Sequence, residues 1–260
     1  MKSNYGLIGF PLGHSFSEIY FTEKFEKEEI DAKYSLFPIG NINSLPSLIS
    51  KIDNLEGLNV TIPYKEDVMR FLDEISEDAS EIGAVNVIKI KNENGQKFLK
   101  GYNSDYVGFA DSLHPLLRKD INNALVLGTG GASKAVVYAL KGLGINTTLV
   151  SRQPKEGDLS YDDLDNEIMT RNLLIVNTTP LGMFPKVEAC APIPYHLLTP
   201  LHICYDLVYN PEVTEFMHRA EERGARVKNG LEMLYRQAER AWEIYRPAGS
   251  YPLQSTSPYR

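Results

Sequence analysis

Apolar residues recur along this chain in two rhythms, and the rhythms alternate. Short aliphatic and β-branched runs read as strands. Longer stretches with apolar residues three and four apart read as helices. In the first part, residues 5–10 predict a strand stopped by Pro11, and 34–37 and 58–62 predict two more, the last ending at Pro63. Residues 17–29 predict a helix with Ile19, Phe25 and neighbouring aromatics on its broad apolar face, and 42–52 a weaker one interrupted by Pro46. Residues 84–90 and 98–102 flank the turn Glu93-Asn94-Gly95 and predict a hairpin. A mostly parallel sheet with one antiparallel strand is the simplest arrangement of these pieces. Residues 103–117 then predict a connecting helix with Val107, Phe109 or Ala110, and Leu113 inward.

The second part is more regular. Strands are predicted at 124–127, 147–150, 173–176, 203–207 and 225–227. Between them fall helices at 132–143 (closed by Gly144), 161–169 (short and acidic) and 212–223 (stopped by Gly224). Strand and helix in strict alternation predict a doubly wound, Rossmann-like unit with right-handed crossovers. Residues 231–245 predict a final helix with Leu231, Leu234, Ala238 and Ala241 or Trp242 as its stripe. From Arg246 the chain is rich in Pro and Ser and is expected to be a mobile tail.

A length of 260 residues accommodates two such units. The net charge of -7 argues against a nucleic-acid face, which draws on clustered Lys and Arg. No apolar run is long enough for a membrane span, and the opening MKSNYGLIGF lacks the apolar core of a secretory signal. Cys190 and Cys204 fit neither a disulfide framework nor a zinc site, and the five histidines are scattered, so no metal is expected. A cytoplasmic protein with a small-molecule substrate is the expectation.

The run ALVLGTGGASK, residues 124–134, carries the most chemistry. A strand ends in Gly128, Gly130 and Gly131 and passes into a helix. Such a loop lets a pyrophosphate approach the backbone, where the helix N-terminus offers free N–H groups. Ser133 stands where the common fingerprint has a third small residue. An NAD site places an acid after the second strand. This chain has Ser151-Arg152 there, with Lys155 nearby, and an arginine pairs with a 2′-phosphate. NADP is expected over NAD.

Lys65 follows a predicted strand end, where open α/β sheets place ligands. A lysine there can neutralise developing negative charge and deliver a proton, or be an ordinary surface residue. Asp105 falls at a helix start, where it is either a first-turn aspartate or a partner for such a lysine. Ser15 and Ser17 could bind a carboxylate, or Ser17 could simply cap the following helix. His14 reads as shaping that loop rather than as a base. Asn177, Thr178 and Thr179 follow one strand and residues 206–211 the next, both positions that suit cofactor contacts. Asn229-Gly230 precedes the final helix, which carries Gln237.

Taken together, these segments resemble shikimate dehydrogenase. The matching pieces are GFPLGHSFS (9–17), GLNVTIPYK (57–65), GAVNVI (83–88) and GYNSDYVG (101–108). GTGGASKA (128–135), NTTPLGM (177–183), DLVYNP (206–211) and NGLEMLYRQA (229–238) complete the set. The resemblance implies NADPH-dependent, reversible reduction of 3-dehydroshikimate to shikimate, with hydride taken from the A face. It implies Lys65 and Asp105 as the catalytic pair and Ser15 and Ser17 on the substrate carboxylate. Thr61, Asn86, Asn103 and Gln237 would line the substrate pocket, with Tyr209 near the substrate. Gly128, Thr129, Gly130, Gly131, Ala132 and Ser133 would hold the pyrophosphate. Ser151, Arg152 and Thr178 would contact the rest of the nucleotide, and Met183, Leu207 and Gly230 would sit near the nicotinamide. The resemblance further implies a discontinuous substrate domain, 1–102 with 236–260, an NADP domain, 103–235, and a cleft between them. The family holds both monomers and homodimers.

Several positions depart from the family pattern. Glu18 stands where Pro is usual, and Ser104 and Ser151-Arg152-Gln153 replace the usual threonine and the usual Asn-Arg-Thr. The rival readings are a quinate/shikimate dehydrogenase using NAD or NADP, a non-catalytic nucleotide-responsive binding protein, and a relative acting on an amino-substituted ring.

Overall fold

The computed structural model describes residues 2–13, 15–93 and 95–246. His14, Asn94 of the predicted turn and the tail beyond Arg246 lie outside the described residues. The chain divides into two compact units, Met1–Ser104 with Ala238–Arg260, and Asp105–Gln237.

In the first unit the chain runs β1 (Ser3–Gly9), α1 (Phe16–Lys27), β2 (Ala32–Pro38), α2 (Leu45–Lys51), β3 (Leu55–Val60), β4 (Glu74–Ile75), α3 (Glu77–Ile82), β5 (Val87–Glu93) and β6 (Gln96–Tyr102). The six strands form one sheet in the order β2-β1-β3-β5-β6-β4. β5 pairs antiparallel with both β3 and β6, while the other pairings are parallel. The single reversed strand of the sequence reading is therefore β5, and its hairpin partner is β6. The strand β4, helix α3 and a 3-10 turn at Asp67–Phe71 escaped that reading, each being too short to show a period. Pro46 begins α2 rather than interrupting it, because its missing N–H costs nothing in a first turn.

One face of this sheet buries Ile8, Leu58, Val60, Val85 and Ile88 against Leu45 and Ile49 of α2. The other is aromatic, with Tyr5, Phe21, Phe25 and Tyr34 packed against Trp242 and Tyr245. Phe21 and Phe25 are the inward residues of α1, whereas Ile19, expected inward, is 57% exposed. Asn59 ties this layer together, accepting at Oδ1 from the Tyr34 hydroxyl at 2.8 Å and the Tyr245 hydroxyl at 3.0 Å.

The second unit runs α4 (Asp105–Leu113), β7 (Asn123–Leu127), α5 (Gly131–Gly142), β8 (Asn146–Val150), α6 (Asn166–Arg171), β9 (Leu174–Asn177), β10 (Ile203–Asp206), α7 (Glu215–Glu221) and β11 (Arg226–Lys228). Its five strands are all parallel, in the order β11-β10-β9-β7-β8. Helices cover both faces, as a parallel sheet requires. Phe109, Val136 and Leu140 lie on one side and Met169, Phe216 and Ala220 on the other. The acidic helix predicted at 161–169 divides into a 3-10 turn, Tyr161–Asp163, and α6, because Asp165 caps a new start by accepting from the Ile168 N–H. Thr214 likewise caps α7 and delays it past the predicted beginning.

The last helix, α8 (Leu231–Tyr245), spans the division at 237/238. Its buried residues are Met233, in the second unit's core, and Ala238, Ala241, Trp242 and Tyr245, in the first's. Leu231, expected in the stripe, is exposed. Among the described residues, no helix is long and apolar enough to cross a membrane.

Candidate active site

Strand direction gathers the first unit's candidate residues at one end of its sheet. Ser15 and Ser17 follow β1, Thr61 and Lys65 follow β3, Asn86 precedes the reversed β5, and Asn103 follows β6. The hairpin that reverses β5 thus returns Asn86 and Asn103 to the edge that β1 and β3 point toward. Helix α1 is capped by Ser15, not Ser17: the Ser15 hydroxyl accepts from the Ser17 N–H at 3.2 Å. That leaves Ser17 in the first turn, where its own side chain is not the cap.

Thr61 is anchored by its N–H on the Ile8 carbonyl at 2.9 Å, and the Lys65 carbonyl accepts from the Val85 N–H at 2.8 Å. Lys65 is therefore fixed by its backbone to the segment that enters β5. Asn86 and Asn103 are almost fully buried. Asn86 accepts from the Ser104 N–H at 2.7 Å and donates to the Ser104 hydroxyl at 3.0 Å, while Asn103 donates to the Ala84 carbonyl at 2.9 Å. Ser104 thereby keeps the hydroxyl that this pairing uses.

In the second unit Asp105 is the first residue of α4 and is buried. One turn later Gly108 meets α8 so closely that a Cβ there would lie 2.7 Å from the Met233 carbonyl oxygen and 2.8 Å from the Gln237 nitrogen. The crossing places Gln237 beside the first turn that Asp105 opens.

The remaining candidates stand at the carboxyl ends of the five parallel strands, where open α/β sheets bind ligands. Gly128 has φ +106, a conformation that side chains rarely adopt, and turns the chain sharply off β7. Gly130 caps α5, and a Cβ on it would meet no atom within 4 Å, so the space over the loop is open. Thr129, Gly131 and Ala132 continue the turn into the helix, and the buried Ser133 donates its hydroxyl to the Gly130 carbonyl at 2.6 Å. Thr178, after β9, donates to the Leu127 carbonyl at 2.6 Å and steadies the same turn from the other side.

After β8, Ser151 is buried and its hydroxyl has no hydrogen-bond partner among the described residues. Arg152 follows, exposed; burial raises the Tyr161 phenol, and the Arg152 charge opposes that rise. An open glycine loop on a helix N-terminus, an orphaned hydroxyl and an exposed guanidinium fit a dinucleotide phosphate. Met183 and Tyr209 are substantially exposed, and Leu207 backs onto Gly230. No group of His, Cys, Asp and Glu among the described residues could hold a metal ion.

The first unit matches the family model described as the shikimate dehydrogenase substrate binding domain, over residues 7–88. The shikimate dehydrogenase (NADP(+)) of Clostridium beijerinckii is 40% identical over 253 residues, covering 93% of this chain and 91% of the relative. The chain belongs to the shikimate dehydrogenase family. Solved structures agree with that membership throughout the chain. A chorismate mutase/shikimate 5-dehydrogenase fusion protein from Clostridium acetobutylicum superposes with a TM-score of 0.83 at 38% identity, covering 95% of this chain and 92% of that one. Shikimate 5-dehydrogenase from Thermus thermophilus, solved with NADP(H) and shikimate, gives 0.81 at 29% identity over 94% and 93%. Membership in this family makes the chain an oxidoreductase and confirms the two-part α/β architecture.

One residue entered the sequence reading only as part of a segment, with no role of its own. Asp206, within the DLVYNP segment, has no exposed surface. Its carboxylate accepts from Asn177, the Val208 N–H and the Thr214 hydroxyl. A lone acid closing an otherwise apolar strand was the available signal.

Proposed function

We propose that this shikimate dehydrogenase family member reduces 3-dehydroshikimate to shikimate with NADPH, reversibly, in aromatic amino-acid biosynthesis. Lys65 carries the reading. It is a lysine at a strand end in the substrate-binding unit, with its backbone held by Val85 and with Thr61 and Asn86 at the same sheet edge. Reduction of a ketone builds negative charge on its oxygen. An ammonium aimed at that oxygen stabilises the charge as it grows and can supply the proton.

Asp105, the first residue of α4, is assigned to orient the lysine and the neighbouring substrate hydroxyl. In the reverse direction the same pair accepts the proton. Ser15 and Ser17 are assigned to the substrate carboxylate, and Thr61, Asn86, Asn103, Tyr209 and Gln237 to the rest of the ring. NADPH, when bound, supplies the hydride. The loop from Gly128 to Ser133 would hold its pyrophosphate, with Ser151, Arg152 and Thr178 on the adenosine side and Met183, Leu207 and Gly230 by the nicotinamide. Arg152 supports NADP over NAD, because a guanidinium suits a 2′-phosphate and an NAD site wants an acid at that position. The Thermus thermophilus relative, solved with NADP(H) and shikimate, supports both ligands. The test is to incubate the purified protein with 3-dehydroshikimate and NADPH and identify the product by chromatography. Catalytic formation of shikimate is expected, and no consumption of either reactant would overturn the reading.

A further inference from the structure

Asp206 is the last residue of β10, and Asn177 is the last residue of its neighbour β9. Asp206 Oδ1 accepts from Asn177 Nδ2 at 2.9 Å and from the Val208 N–H at 3.0 Å, and Oδ2 accepts from the Thr214 hydroxyl at 2.6 Å. Asn177 Oδ1 in turn accepts from the Thr179 N–H at 3.1 Å and the Thr179 hydroxyl at 2.7 Å. The Thr179 hydroxyl accepts from the Leu181 N–H at 3.3 Å. One buried polar network therefore runs from the loop after β9, through both strand ends, to the loop after β10. The Phe184 N–H, donating to the Asn210 carbonyl at 3.1 Å, joins the same two loops further out.

These loops carry Met183 on one side and Leu207 and Tyr209 on the other. A buried carboxylate is an expensive way to join two loops, because desolvation penalises its charge. Burial pushes the Asp206 carboxyl up to about 6 despite its hydrogen bonds. An apolar residue would serve packing alone at less cost. The group is nevertheless placed where both loops leave the sheet.

We propose that Asp206 is a positioning residue for the cofactor's nicotinamide end, its carboxylate locking the loops after β9 and β10 into one register. The proposal rests on the NADP(H) reading above. It is tested with the full chain by NADPH fluorescence titration and steady-state kinetics on Asp206→Asn, Thr214→Val and Thr214→Ser, each checked for folding by thermal denaturation. Asp206→Asn and Thr214→Val are each expected to raise the NADPH Kd and KM by about tenfold, the scale of one lost charge-assisted hydrogen bond. The KM for 3-dehydroshikimate should change much less, since Tyr209 is the one assigned substrate residue on these loops, and Thr214→Ser should restore wild-type values. A purely structural role would lower the melting temperature and leave NADPH Kd and KM unchanged in the folded variants. That outcome overturns the proposal, as does a Thr214→Ser protein no better than Thr214→Val. If Asp206→Asn does not fold, the Thr214 pair decides. A wild-type protein that binds no NADPH overturns the parent reading first, and this one with it.

Discussion

Gly230 packs against Leu207 with no room for a side chain: a Cβ on Gly230 would lie 2.1 Å from the Leu207 carbonyl oxygen. The obstructing atoms are backbone and cannot swing aside. The Gly230 N–H also donates to the Val208 carbonyl at 3.1 Å, so the start of α8 is pinned to the loop after β10. Gly230→Ala must push these segments apart. It is expected to cost about 1–3 kcal/mol of stability, the usual scale for overpacking. Denaturant titration measures this, and an unchanged midpoint would contradict so tight an approach.

Asp206 gives a pH signature of known sign. Its carboxyl rises from an ordinary 3.8 to about 6, chiefly by burial, opposed by hydrogen bonds from Thr214, Val208 and Asn177. The folded chain thus holds this proton more tightly than the unfolded chain. The resulting penalty is absent below the unfolded value and complete above about 6. It is of the order of 3 kcal/mol. Adjacent Cys204, pushed up to about 12 by burial, stays neutral across this window. Unfolding free energies of wild type and Asp206→Asn, measured from pH 4 to 7, should diverge in the variant's favour as pH rises. A difference that does not vary with pH would show that Asp206 has its ordinary affinity for a proton.

Legibility in the sequence followed local periodicity and stopped where tertiary packing took over. The reversed β5 was readable because residues 84–90 and 98–102 flank an obvious turn, and reversal follows from so short a connection. The parallel second sheet was readable from its strict alternation. The inward face of α1 was readable in part: Phe25 and its neighbouring aromatics are buried as read, but Ile19, equally apolar on paper, is left out by the aromatic layer beneath. Helix α8 was read in part: Ala238, Ala241 and Trp242 of the expected stripe are buried, but Leu231 is exposed and Met233, off that stripe, enters the other core. Lys65, Asp105 and Arg152 stood out because each breaks its local pattern at a strand end or helix start. Asp206 breaks its pattern too, but a sequence does not reveal that Asn177, Val208 and Thr214 converge on it.

Lys65→Ala separates chemistry from binding. If the ammonium acts on oxygen charge that matures in the transition state, kcat should fall by roughly 10²-fold or more while KM for 3-dehydroshikimate changes little. Steady-state rates at saturating NADPH provide the check. A near-normal kcat would remove Lys65 from the reaction.

Arg152→Ala should discriminate between cofactors. Loss of a guanidinium–phosphate contact is expected to raise the KM for NADPH by about tenfold or more and leave that for NADH nearly unchanged. Equal losses for both would deny Arg152 a role at the 2′-phosphate.

The central claim is a specific pairing of substrate and cofactor. It is tested most directly by initial rates in the oxidative direction, with shikimate and quinate each offered with NADP and with NAD. The expected result is that kcat/KM is highest for shikimate with NADP, with both quinate reactions well below it. Turnover favouring quinate with NAD, or no turnover in any of the four combinations, would contradict it.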